Sequence, residues 1–74
     1  MELNVIVKMV ASVTTFKHCG ELLARVVAQR NGNYYVEYFG KFIGLQNSFA
    51  DAIEVVGDLL ENKYQDSKVI YYAG

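Results

Sequence analysis

Seventy-four residues leave room for one hydrophobic core and no second module, so any activity has to sit on the surface of that core. Seven Lys plus Arg stand against eight Asp plus Glu, a formal charge of −1, so no bulk field favours nucleic acid or a basic partner. The single cysteine, Cys19, excludes an internal disulfide and points to a reducing, cytoplasmic setting; with His18 as its sole companion it is no zinc site, and no cofactor motif is present.

Hydrophobic residues make up 53% of the chain and aromatic residues 14%, a surplus for so short a domain that predicts burial by self-association or by a partner. No apolar run approaches the roughly 18 residues of a membrane span. The opening segment MELNVIVKMVAS places Glu2 and Lys8 in the wrong order for a secretory signal.

In chain order, Leu3, Val5, Val7 and Met9 alternate with Asn4, Ile6, Lys8 and Val10, which predicts a first strand over Glu2 to Val10 with a partly apolar second face. Residues Ser12 to Gly20 read as polar and irregular. Glu21 to Arg30 reads as a second strand, with a helix as the competing reading because Leu22, Leu23, Val26 and Val27 also fit helical spacing.

Asn31-Gly32 predicts a two-residue type I′ turn, and that turn sets Val27 opposite Val36, Arg25 opposite Tyr38 and Ala28 opposite Tyr35. A second tight turn at Gly40-Lys41, of type II′, returns Phe42 to Leu45 as a short strand. On this register one face of the meander carries Leu23, Val27, Val36, Tyr38, Ile43 and Leu45. The other carries Leu22, Val26, Tyr35, Phe39 and Phe42.

Ser48 followed by Asp51 resembles a capping box, and Phe49, Ala52, Ile53, Val56 and Leu60 share one side, so a helix is predicted over 49 to 64. Gly57 inside it suggests a close approach to the sheet. Lys68 to Tyr72 reads as a last strand. The expectation is one α+β domain over 1–74: an antiparallel meander of three to four strands, one helix, then a final short strand. Residues 34 to 60, YYVEYFGKFIG followed by SFADAIEVV, are similar in element order to the three-strand-plus-helix domains at the N-termini of some integrases, whose sheets are basic where this one is not.

One helix covers one face of such a sheet, which leaves the other wet, self-paired or partner-bound. The candidate protein-binding residues are Tyr35, Phe39 and Phe42 on that face, and the helix stripe Asp51, Glu54, Asp58 and Glu61, which also reads as an ordinary solvated face. Arg25, Arg30, Tyr38 and Lys41 form the alternative, a weak nucleic-acid platform of cations and an aromatic ring. Adjacent His18 and Cys19 lack an orienting third group, and the helix carboxylates lack a convergent partner, so no catalytic residue is assigned. The functional expectation is a non-enzymatic adaptor or inhibitor, of the kind accessory or phage-encoded proteins supply, acting as a homodimer or on a larger protein.

Overall fold

In the computed structural model, which describes residues 1–74, five successive strands are joined by four short loops: β1 (Glu2–Val10), β2 (Val13–His18), β3 (Glu21–Ala28), β4 (Tyr34–Tyr38) and β5 (Lys41–Gln46). Helix α1 (Phe49–Lys63) then carries the chain back to β6 (Lys68–Ala73), which pairs in parallel with β1. The sheet order is β5-β4-β3-β2-β1-β6, all antiparallel but for that last pair. The α+β class, the meander, the helix and the closing strand follow the sequence reading. The segment from β3 to α1 keeps the three-strand-plus-helix order.

Three sequence expectations need correction. The stretch from Ser12 to Gly20 is not irregular, because Val13 to His18 forms β2, paired on both sides. Its threonines are β-branched strand formers despite their hydroxyls, and Thr14 is buried in the helix-covered face. Glu21 to Ala28 is a strand and not the competing helix.

The second correction is one of register. Asn31 keeps a negative φ, and Gly32 alone turns positive, at 88°. The Gly32 amide donates to the Gln29 carbonyl at 3.1 Å, and Gln29 and Asn33 close the loop at 2.9 Å. Arg30, Asn31 and Gly32 thus form a three-residue loop, a β-turn followed by a left-handed glycine, in place of a two-residue I′ turn. The Asn31 side chain accepts from the Asn33 amide at 3.1 Å, which stabilises that choice. One added loop residue slips the pairing by one: Val26 faces Val36, Arg25 faces Glu37 and Val27 faces Tyr35. A slip of one exchanges the two faces of a strand, so Val26 is core while Val27 is not.

The next turn is also displaced. Phe39 and Gly40, at φ 48° and 79°, are the central pair of a type I′ turn closed by Tyr38 and Lys41, rather than Gly40-Lys41 in type II′.

Ser48 caps α1 through its Oγ, which accepts from the Asp51 amide at 3.1 Å. Ala52, Val56 and Leu60 recur at four-residue spacing and are fully buried against Leu3, Val5, Phe16, Leu23, Val26 and Val36. At about 25 cal/mol per Å² of apolar area removed from water, this cluster is the main source of stability.

Candidate functional site

The face of the sheet opposite α1 has no covering layer. Its register aligns Leu45, Tyr35, Val27, Val13 and Val10 as nearest neighbours across β5, β4, β3, β2 and β1, an unbroken apolar row over five strands. Leu45 and Val10, at its two ends, are 49% and 61% exposed. Below it Glu37, Arg25, Thr15 and Lys8 form a polar row, and beyond that Lys17, Ile6 and Tyr72 are aligned. Tyr35 stacks on Phe42 with ring centroids 4.7 Å apart, within the range of favourable aromatic pairs.

Of the three aromatic residues expected on this face, Tyr35 and Phe42 are there and Phe39 is not. Phe39 sits in the β4–β5 turn, edge-on to Tyr38 at 4.7 Å and under the Lys63 ammonium at 4.8 Å, on the helix side. Val27 belongs to the open face, and Val26 does not. The valines follow from the one-residue slip, and Phe39 leaves the face because it is a central residue of the β4–β5 turn.

The nucleic-acid candidates are dispersed. Arg25 lies on the open face but is held by Glu37 at 3.0 Å, its Nε buried without a partner. Tyr38 points to the opposite side, where its hydroxyl donates to the Leu59 carbonyl at 3.3 Å. Burial, and then the neighbouring Tyr64, push the Tyr38 phenol above its ordinary range. Arg30 is in the β3–β4 loop and Lys41 opens β5 at the other end of that hairpin, so the four residues share no surface.

On the helix side α1 approaches β3, β4, β5 and β6, and its side chains bury Leu3, Val5 and Phe16 of β1 and β2 without a comparable backbone approach to those two strands. Beside α1 lies a groove of about 530 Å³ whose sheet side is Val7, the fully buried Phe16 and Tyr71 and whose helix side is Phe49, Ile53 and Gly57. Glu54, Asp58 and Glu61 line the same groove. A smaller hollow, also touching Phe49, continues it past Met9 and Thr14. Phe16 and Tyr71 meet edge-on at 6.4 Å. Burial first, then Glu61 and Asp58, raise the Tyr71 phenol above its ordinary range, so the carboxylate field reaches the groove floor.

Three of the four stripe residues therefore border a concave apolar surface, while Asp51 stands in the first helical turn, outside it. Sequence reasoning missed the floor. The alternation of Val5 and Val7 in β1 placed them on one face, but without β2 there was no Phe16 to set beside them.

His18 Nδ1 donates to the Asn4 carbonyl at 2.7 Å, leaving Nε2 to accept from the Cys19 thiol at 3.5 Å. Cys19 sits on the exposed β2–β3 turn, and neither it nor His18 lines a cavity. No group of three His, Cys, Asp or Glu side chains gathers as a metal cluster. No helix is long and apolar enough to cross a membrane. Comparison with protein-family models, with curated proteins and with solved structures finds no match to this chain.

Proposed function

We propose that this chain is a non-enzymatic protein-binding domain, an adaptor or inhibitor, that self-associates through its uncovered sheet face. The observation that carries the reading is the apolar row Leu45-Tyr35-Val27-Val13-Val10, continuous across five strands and left without a second layer. Antiparallel sheets leave one face to solvent when that face is polar, whereas two apolar faces stack at about 10 Å to form a core. Six strands spaced about 4.8 Å apart give a face about 24 Å wide, the scale of a standard interface of about 800 Å² per partner. The exposed Cys19 thiol suits a reducing, cytoplasmic compartment.

Solution mass across a concentration series, by sedimentation, tests this. The expected result is a dimer that Leu45→Glu converts to a monomer with unchanged circular dichroism. A wild-type monomer at every concentration, or a Leu45→Glu dimer, overturns it. The nucleic-acid alternative has less support, because Glu37 neutralises the cation at the centre of the face; binding to a single strand that falls steeply with salt is its signature.

A further inference from the structure

We infer that the outer edge of β6 is a second docking site, distinct from the open face, which takes an extended segment of a partner protein as an added strand, with basic and apolar side chains alternating along that segment. The hydrogen bonds of the β1–β6 pair fix which backbone groups are free. The Lys68 amide donates to the Met1 carbonyl and the Gly74 amide to the Val7 carbonyl, both at 2.8 Å, at the two ends of a parallel register that runs from Glu2–Lys68 to Val7–Ala73. In a parallel pair alternate residues turn both backbone groups toward the neighbour. Lys68, Ile70 and Tyr72 therefore face β1. Val69, Tyr71 and Ala73 direct N–H and C=O away from the sheet, where no turn, cap or side chain takes them up. Beyond the edge lies solvent: β6 is approached only by β1 and, from the helix side at the Tyr71 hydroxyl, by α1, and Lys68, Tyr71, Tyr72 and Ala73 are exposed.

The other edge, β5, is a poorer template. Its ladder is interrupted opposite Val36 and Glu37, where Ile43 is left over as a bulge, and Gly44 follows at φ 145°. Bulges blunt an edge, and β6 has none: it runs regularly, without proline, and Lys68 at its start is its one charge.

The two sides of the edge select the incoming residues. Val69 and Tyr71 stand beside Leu3 and Val5, so they share the helix side, where Tyr71 lines one groove with Asp58 and Glu61. Neither carboxylate has an ion-pair partner in the chain, and the field of both reaches the Tyr71 phenol. A Lys or Arg opposite Tyr71, on a strand about 4.8 Å farther out, has the length to meet them. Ile70 and Tyr72 lie on the open side and favour Val or Ile in the residues opposite them. Antiparallel addition suits this edge, because the residues opposite Val69, Tyr71 and Ala73 then exchange both hydrogen bonds with them. A helical partner offers no free N–H or C=O groups to the edge. A second copy of this chain is also the wrong occupant, because two-fold pairing about Tyr71 sets Asp58 and Glu61 of both copies around one junction, like charge against like.

The test uses the full chain, ¹⁵N-labelled, and a capped synthetic peptide of about seven residues in which Lys and Val alternate. Expected are amide shifts centred on Val69, Tyr71 and Ala73, with hydrogen exchange at those positions slowed about tenfold or more by the peptide. N-methylation of the Lys residues should abolish binding, whereas N-methylation of the Val residues, whose N–H groups point away from β6, should leave it intact. D58N/E61Q should weaken binding about fivefold, the effect of two modest ion pairs. A peptide with Glu in place of Lys should not bind. No binding of the Lys–Val peptide, binding indifferent to D58N/E61Q or to N-methylation of Lys, or shifts centred on Ile43 and Leu45 overturns the inference. Protection of the Tyr71 amide that grows with protein concentration in the absence of peptide assigns the edge to a second copy and overturns it as well. Leu45→Glu, which acts on the open face at the opposite side of the sheet, should leave peptide binding unchanged, so the two surfaces fail or succeed separately.

Discussion

Arg25 and Glu37 face one another across β3 and β4 on the uncovered side of the sheet, joined at 3.0 Å in the one salt bridge of the molecule. The pair occupies the polar row beside the apolar one. Arg25 is 40% exposed and Glu37 17%, so in the monomer solvent screens the pair and its coupling should be small, within about 1 kcal/mol in a double-mutant cycle. At the centre of a dimer both charges lose water, and removing one leaves the other buried and unpaired. Glu37→Ala should then weaken association by about 2–5 kcal/mol while costing the monomer little. Sedimentation of Glu37→Ala and Arg25→Ala beside urea titrations separates the two effects; equal losses in both would mean that the face stays wet.

The β3–β4 loop makes a prediction about register. Deleting Arg30 leaves Asn31-Gly32 as a two-residue loop between Gln29 and Asn33, the pair that already closes it. Asn-Gly is the preferred I′ sequence, so the shortened protein should keep the Val26–Val36 pairing and lie within about 1 kcal/mol of the wild type. Gly32→Ala, by contrast, forces a side chain into φ 88° and should cost about 1–2 kcal/mol. Denaturation midpoints order the three proteins, and a shortened variant much less stable than Gly32→Ala contradicts the account.

The β3–β4 loop shows why the fold was legible and the faces were not. Strand alternation in β1, the Ser48 cap and the Ala52-Val56-Leu60 spacing are local patterns, and each predicted its element. Which residues share a face depends on loop length, where one residue inverts everything downstream. Asn31-Gly32 is compatible with either a two- or a three-residue loop, and the Asn31–Asn33 hydrogen bond that favours the longer one is a local contact that the residue pattern does not dictate. Glu54, Asp58 and Glu61 were visible as a stripe, but the groove they border requires β2, whose two threonines concealed it.

Three non-glycine residues take positive φ: Ala11 at 53°, Cys19 at 50° and Phe39 at 48°. Each costs about 1–2 kcal/mol for a residue with a Cβ, less where Asn occupies the site. Cys19 precedes Gly20 at 81° in a type I′ turn, so Cys19→Asn should raise stability by about 0.5 kcal/mol and remove the exposed thiol. Phe39→Asn should gain nothing, because the ring contacts with Tyr38 and Lys63 are lost with it. Thermal unfolding of both variants under reducing conditions checks the contrast.

The raised phenol of Tyr38 ties stability to alkaline pH. A tyrosine held protonated in the folded state, above its ordinary value near 10, releases its proton more readily once unfolded. Its contribution is complete below pH 10 and falls as pH rises toward the folded value. Burial dominates that shift, and the hydroxyl also donates to Leu59, a bond the phenolate cannot make. Unfolding free energy should therefore drop above pH 10 more steeply in the wild type than in Tyr38→Phe, by urea titration at successive pH values. Parallel slopes would mean that Tyr38 titrates alike in both states.

Gly57 lies in the middle of α1, and a Cβ built there would meet the Tyr71 hydroxyl at 3.5 Å, an ordinary contact. The glycine thus reflects no tight backbone approach to the sheet, the reason its position in the sequence suggested. Alanine removes the conformational cost of glycine in a helix interior, so Gly57→Ala should stabilise the protein by about 0.5–1 kcal/mol. A larger side chain has no such room. Gly57→Leu must displace Tyr71, so it should destabilise the protein by about 1–3 kcal/mol. Urea titration of both variants checks this, and alanine that destabilises, or leucine as stable as the wild type, would mean that Tyr71 does not bound the space beside Gly57.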